Sequence, residues 1–264
     1  MMGMMNARIL LPSWMAFLAA GCALAPISPT PTAAATDVPC TEAGTVRRVA
    51  IDSTTDVFVY LPPCYDSPPD HRYPVVYLFP GFGGTNHDFF NLGAANIADE
   101  LIQSRQTPPF LIVTTADIFP DVDARIVTET ILPYIEANYR ARPERLFRAA
   151  AGGSFGGAVA YHLAFKRYDL FGSAGIFGNG AAAGEEGEIQ DWLAAIPKDA
   201  RPRVFLNVGE GDTYMLERAK VLVPLLDEAG ILHEEIFSPG GHAGDYWVSN
   251  FAAYFLWMSS DWRQ

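Results

Sequence analysis

Basic residues are scarce in this sequence: 18 Lys and Arg face 30 Asp and Glu in 264 residues, a formal net charge of -12. A surface of that sign repels phosphate backbones and argues against nucleic acid as a partner. Cysteine is scarcer still, with three copies, and neither these nor the five histidines fall into a metal-ligand spacing. No metal or other cofactor is therefore expected. Uninterrupted apolar runs long enough to cross a bilayer are missing too: Ile9 to Ala20 is a twelve-residue apolar stretch broken by Pro12, short for a span. What the chain has in quantity is apolar side chains (50%), 23 glycines and 20 prolines. That mixture indicates a packed body with many tight turns, not a fibre or a disordered tail.

The N-terminus reads as an address. Arg8 is the one charged residue before Asp37, and the apolar stretch after it runs into the small residues of LAAGC. LAAGC resembles the lipobox of bacterial lipoproteins, which makes Cys22 the expected lipidation site; ordinary cleavage after an Ala-x-Ala site is the alternative. Residues 1–24 are thus read as an export segment, 25–36 as a Pro/Ser/Thr/Ala-rich linker, and 37–264 as one domain. The product would be extracellular or envelope-associated, with membrane attachment through an N-terminal lipid. Export permits disulfides, and Cys40 and Cys64 flank two strand-like segments, TVRRVAI and DVFVYL, that could pair as a hairpin. A bond between them is expected, two free thiols being the alternative.

Beyond the hairpin, short continuous apolar runs alternate with helical patterns. YPVVYLF, FLIVTT, RLFRAAA, LFGSAGIF, RVFLNVG and HEEIFSP read as strands. NIADELIQS, FGGAVAYHLAFKRY and TYMLERAKVLVPLLDEAG read as helices. ARIVTETILPYIEANY is a further helix, with Ile126, Thr130, Tyr134 and Ala137 near one stripe and Pro133 an irregularity that could kink it. YWVSNFAAYFLWMSSDW reads as one closing helix, and GAAAGEEGEIQ as either a cover over a cleft or a solvated loop. The alternation predicts an α/β fold, a mostly parallel sheet covered by helices on both faces.

One serine stands out. Ser154 lies in GGSFGG, between an apolar strand and an apolar helix. A helix cap needs a serine but not four flanking glycines, which cost backbone entropy. A sharp strand-to-helix turn that lifts a nucleophile above the sheet edge does need small residues two before and two after it. The base should follow a later strand. His242, after two glycines in SPGGHAGDYW, fits best; His87 in an early loop is second, and His71, His162 and His233 read as solvated, packed or strand residues. The acid should follow another strand, where Asp212 leads, ahead of Glu210 and Asp245, with helix capping as its plain alternative. Ser154, Asp212 and His242 come in the chain order of an α/β-hydrolase sheet.

From about Thr45 to Trp262, the segments VYLPPCY, YPVVYLFPGFGG, ILPYIEANYR, GGSFGG, GEGD and GGHAGDYW resemble the putative-esterase family. That family includes enterochelin esterase-like proteins, S-formylglutathione hydrolases, feruloyl esterases and mycolyltransferases. The resemblance implies an α/β-hydrolase fold and the roles of nucleophile, acid and base for Ser154, Asp212 and His242. Two departures concern substrate choice: Pro80 stands where many relatives have histidine, and Ala-Gly-Asp precedes Tyr246 and Trp247 where many place Asp-Trp directly after the histidine. The implied activity is that of an exported serine carboxylic-ester hydrolase working through an acyl-serine on a small or polymer-attached ester. An acyltransferase, a peptidase or a non-catalytic envelope binding protein of the same fold are the alternatives. Backbone N–H groups of Phe82 and Phe155 are the expected oxyanion donors. Phe82, Phe89, Phe90 and Trp247 are the expected apolar mouth, unless they serve the core.

Overall fold

In a computed structural model, the described residues are 40–116, 118, 119 and 121–262; the export segment, the linker and Cys22 lie outside them. Eight strands form one sheet: β1 (Thr45–Ala50), β2 (Asp56–Leu61), β3 (Val75–Phe79), β4 (Leu111–Thr114), β5 (Arg148–Gly153), β6 (Ser173–Phe177), β7 (Arg203–Gly209) and β8 (His233–Ser238). Their order is β1-β2-β4-β3-β5-β6-β7-β8. β1 and β2 form the antiparallel hairpin, with Thr45 opposite Leu61 and Ala50 opposite Asp56, and β2 is antiparallel to β4. From β4 onward every pairing is parallel.

Side-chain alternation along the strands divides the core into two layers. In β3, Val76 and Leu78 face a cluster with Phe110, Phe251, Tyr254 and Met258. Val75, Tyr77 and Phe79 face the opposite side with Val127, Ile131, Ile135 and Val159. Helices α1 (Asp88–Asn91), α2 (Ala94–Gln103), α7 (Gly244–Ser249) and α8 (Phe251–Ser259) cover the first face. The second carries α3 (Leu132–Asn138), α4 (Phe155–Lys166), α5 (Glu186–Ala195) and α6 (Thr213–Ala229). Continuous apolar strands are the consequence, because both faces are dry.

Three readings of local structure need correction. Val127–Ile131 is a π-helical turn leading into α3, and the buried line is Val127, Ile131, Leu132 and Ile135. Ile126, Thr130 and Tyr134 are only half-buried and Ala137 is exposed. The wider turn sits just before Pro133, which has no N–H to give and whose ring crowds the preceding turn. The closing helix is two helices, broken at Asn250, whose side-chain amide donates to the Tyr246 carbonyl at 3.0 Å and competes with the helical pattern. The acidic segment near residue 185, expected as either a cleft cover or a solvated loop, runs into α5 at Glu186 and is not on the wall of the cavity beside Ser154. Arg218 of α6 donates to the carbonyls of Ala181 and Ala182 and pairs with Glu186, which holds the segment against α6.

Cys40 and Cys64 are bonded, 24 residues apart. Closing a loop of that length removes denatured-state entropy worth about 3 kcal/mol. The double variant Cys40→Ser/Cys64→Ser is expected to lose that much in urea unfolding; an unchanged midpoint and slope would show that the bond adds nothing. No helix among the described residues is long and apolar enough to cross a membrane.

Candidate active site

The site is built at the carboxyl ends of the parallel strands. β5 ends at Gly153, α4 starts at Phe155, and Ser154 between them has φ 52° and ψ -120°. This is a strained backbone for a residue with a Cβ. Its N–H donates to the Phe177 carbonyl at 2.8 Å, and its own carbonyl accepts from Gly157 at 2.9 Å and from the Asn179 side-chain amide at 2.6 Å. The turn is tight enough that a Cβ on Gly152 would lie 2.5 Å from the Gly156 backbone, and one on Gly156 would overlap the Phe79 carbonyl oxygen. Gly156→Ala is therefore expected to cost at least about 3 kcal/mol, because both clashing atoms are backbone and cannot rotate away. A thermal melt within a degree of the parent would contradict this.

His242 occupies the loop between β8 and α7. Its Nε2 lies 2.8 Å from Ser154 Oγ and its Nδ1 lies 2.5 Å from Asp212 Oδ2. The His242 side chain is 38% exposed and that of Asp212 only 10%, so the acid is shielded while the ring still meets solvent. The two loops are tied through backbone: Glu210 N–H donates to Ser238 O and Gly211 N–H to Gly240 O, at 2.9 and 2.8 Å. Asp212 also caps α6, its Oδ1 accepting from Met215 N–H at 3.4 Å. The partner of His242 and the cap of α6 are thus one residue with two oxygens in use. With Nδ1–H donated to the carboxylate, Nε2 keeps its lone pair toward the serine hydroxyl.

Phe155 is the first residue of α4, where a helix has no acceptor of its own for the N–H. Gly81 backs onto the serine so closely that a Cβ there would be 3.2 Å from Ser154 Cβ. A cavity of about 470 Å³ opens here, lined among others by Phe82, Asp88, Phe89, Leu92, His242 and Trp247. Phe90 is not on its wall and belongs to the core with Leu78 and Phe110, a correction to the expected mouth. Trp247 is 7% exposed and meets the His242 ring edge-on at 5.1 Å, so it supports that ring as well as the wall.

The other histidines lie elsewhere. His87 packs on Phe58 at 4.6 Å, and His233 sits at the opposite end of the sheet with Nδ1 3.0 Å from the Ile231 carbonyl. His71, though exposed, meets Tyr73 edge-on at 4.6 Å. His162 is buried, with Nδ1 2.9 Å from Asp123 and Nε2 3.3 Å from Glu185. Burial pushes the Asp123 carboxyl up, but hydrogen bonds from His162 and Lys166 outweigh it and hold that carboxyl below the ordinary carboxylate range. Glu210 and Asp245 are exposed, and His242 Nδ1 meets Asp212. Among the described residues no group of three His, Cys, Asp or Glu is gathered as a metal site would require.

Sequence reasoning passed over Asn179 and Phe119. A signal for Asn179 exists: a polar residue one glycine beyond the buried strand SAGIF, in a run of small residues. For Phe119, an aromatic in the loop after β4, sequence offered nothing beyond its type.

The family model described as "Putative esterase" matches residues 49–258, most of the chain. The chain belongs to this family. Esterase-family relatives include an endo-1,4-beta-xylanase/feruloyl esterase of Xylanibacter ruminicola, 27% identical over 198 residues, which cover 69% of this chain and 26% of that protein. An esterase of Mycobacterium tuberculosis is 27% identical over 236 residues, covering 66% and 51%. The chain therefore spans about half or less of the length of these relatives. Among solved structures, the feruloyl esterase module from Clostridium thermocellum complexed with sinapinate superposes with a TM-score of 0.73 at 18% identity, over 86% of this chain and 92% of that one. The shared architecture is the α/β-hydrolase fold, with its mostly parallel sheet between two helical layers.

Proposed function

We propose that this member of the esterase family is a serine carboxylic-ester hydrolase. The reading rests on one observation, the continuous hydrogen-bonded chain from Ser154 Oγ through His242 to Asp212. Ser154 Oγ bonds to the ester carbonyl carbon while its proton passes to His242 Nε2. The carbonyl oxygen becomes an oxyanion held by N–H groups of Phe82 and Phe155, each worth about 3 kcal/mol in the transition state. The carbon–alkoxy bond then breaks and His242 returns the proton to the departing oxygen. Water repeats the sequence on the acyl-serine, which regenerates the hydroxyl and releases the acid. Asp212 fixes the tautomer and stabilises the imidazolium.

Export of a 37–264 catalytic domain, with residues 1–24 as the export segment and 25–36 as the linker, belongs to the same proposal. The Cys40–Cys64 bond supports it, since such bonds persist in oxidising compartments. Lipid attachment at Cys22 is the envelope-anchored version of it. An alcohol could replace water in the second half, because the cavity beside His242 is large enough to admit one; product analysis with and without added alcohol separates hydrolysis from acyl transfer. A fluorophosphonate probe tests the central claim. It is expected to add its mass to the peptide holding Ser154 and to leave Ser154→Ala unlabelled. Ester turnover by folded protein with the label on another residue would reject the assignment.

A further inference from the structure

A second, smaller cavity of about 240 Å³ adjoins the first, and the two share Pro80, Gly81, Phe82 and Gly84. Its walls include Ile118 and an aromatic cluster. Phe82 meets Phe119 edge-to-face at 4.7 Å, and Phe119 meets Phe155 at 5.5 Å. Phe82 and Phe119 are 71% and 55% exposed, a large apolar surface left uncovered beside a catalytic serine. Ser154 and His242 line the larger cavity and not this one.

We propose that the smaller cavity is the acyl subsite and takes a compact apolar acyl group, about one ring or a short alkyl chain in size. The inference rests on the ester-hydrolase reading above. Proton bookkeeping decides which half of the substrate goes where. His242 must hand its proton to the departing alkoxy oxygen, so the alcohol half lies on the His242 side, in the larger cavity. The oxyanion lies against the backbone of Phe82 and Phe155, and the remaining substituent of the tetrahedral carbon, the acyl chain, points away from His242. The side chains of the same two phenylalanines and Phe119 meet it there. A dry cavity of about 150 Å³ suffices for benzene, so 240 Å³ accepts a ring but not a long chain.

The test uses 4-nitrophenyl acetate and hexanoate, which differ only in the acyl group, and methyl and benzyl acetate, which differ only in the alcohol. Phe119→Ala is expected to lower kcat/KM for the hexanoate about tenfold and to leave all three acetates within about twofold. Phe119→Trp, which fills the cavity instead of emptying it, is expected to shift selectivity toward acetate in the same way. Equal losses on acetate and hexanoate, no change on either, or a change that follows the alcohol would each overturn the assignment. Ser154→Ala separates the two levels. If it still turns over all four esters, the hydrolase reading fails; if it is inactive while Phe119 variants keep parental selectivity, only the subsite fails.

Discussion

Ser154→Ala is expected to lower kcat for ester hydrolysis by about 10⁶-fold, with the fold retained. The size follows from the arrangement. The hydroxyl is the atom that bonds to substrate and the atom whose proton His242 accepts at 2.8 Å, so nothing downstream of it can act alone. Alanine leaves the oxyanion N–H groups in place, and a residual rate about 10³-fold above water is what they can supply. Stability should barely change, because alanine at φ 52° is strained to the same degree as serine. Ser154→Gly adds a second readout: it should be equally inactive yet more stable by about 1–2 kcal/mol, since glycine accepts that backbone without strain. A folded Ser154→Ala protein within tenfold of the parental rate would end the serine proposal.

The elements that sequence disclosed best are those where one physical constraint dominates. Strands buried on both faces must be apolar throughout, so VVYLF and LIVT could be recognised without any knowledge of their neighbours. GGSFGG was legible for a related reason. Backbone atoms of Gly156 and Phe79 leave no room for side chains at the turn, and only glycine satisfies both ends of it. Chain order then assigned Asp212 and His242 to later strand ends, where the structure has them in contact with each other and His242 in contact with Ser154.

Details that depend on two or more elements at once were not legible. The buried line of that helix runs one residue later than the stripe read from the sequence, a phase that its packing partners set, and the π-helical turn before Pro133 is itself a departure from a fixed 100° periodicity. Phe89 and Phe90 are chemically identical in sequence; both pack into the same core cluster, and Phe89 alone of the two also reaches the cavity wall. Phe119 is apolar but exposed, and its partners are Phe82, in a loop 37 residues earlier, and Phe155, at the start of α4 36 residues later. Such a cluster exists only after the strands have been ordered. Asn179 shows the same limit, since its role depends on the strained carbonyl of Ser154 lying above it.

Asp212→Asn is expected to lower kcat by about 10⁴-fold while KM and thermal stability stay close to parental values. Asparagine is a good test because Asp212 does two jobs that the substitution separates. Its Oδ1 caps α6 by accepting from Met215 N–H, and asparagine caps a helix about as well as aspartate. Its Oδ2 accepts from His242 Nδ1, and there the amide differs. If the amide nitrogen faces the ring it donates, which drives the imidazole proton to Nε2 and removes the lone pair that must take the Ser154 proton. If the amide oxygen faces the ring the tautomer survives, but the imidazolium formed in the transition state loses its counter-charge. Asp212→Ala removes the cap as well, and should be less stable by about 1 kcal/mol at a comparable loss of activity. The pair of variants thus divides helix capping from catalysis at a single position. Should Asp212→Asn keep its rate within tenfold of the parent, the contact at 2.5 Å would be an ornament of the helix start, and another carboxylate would have to be sought for His242.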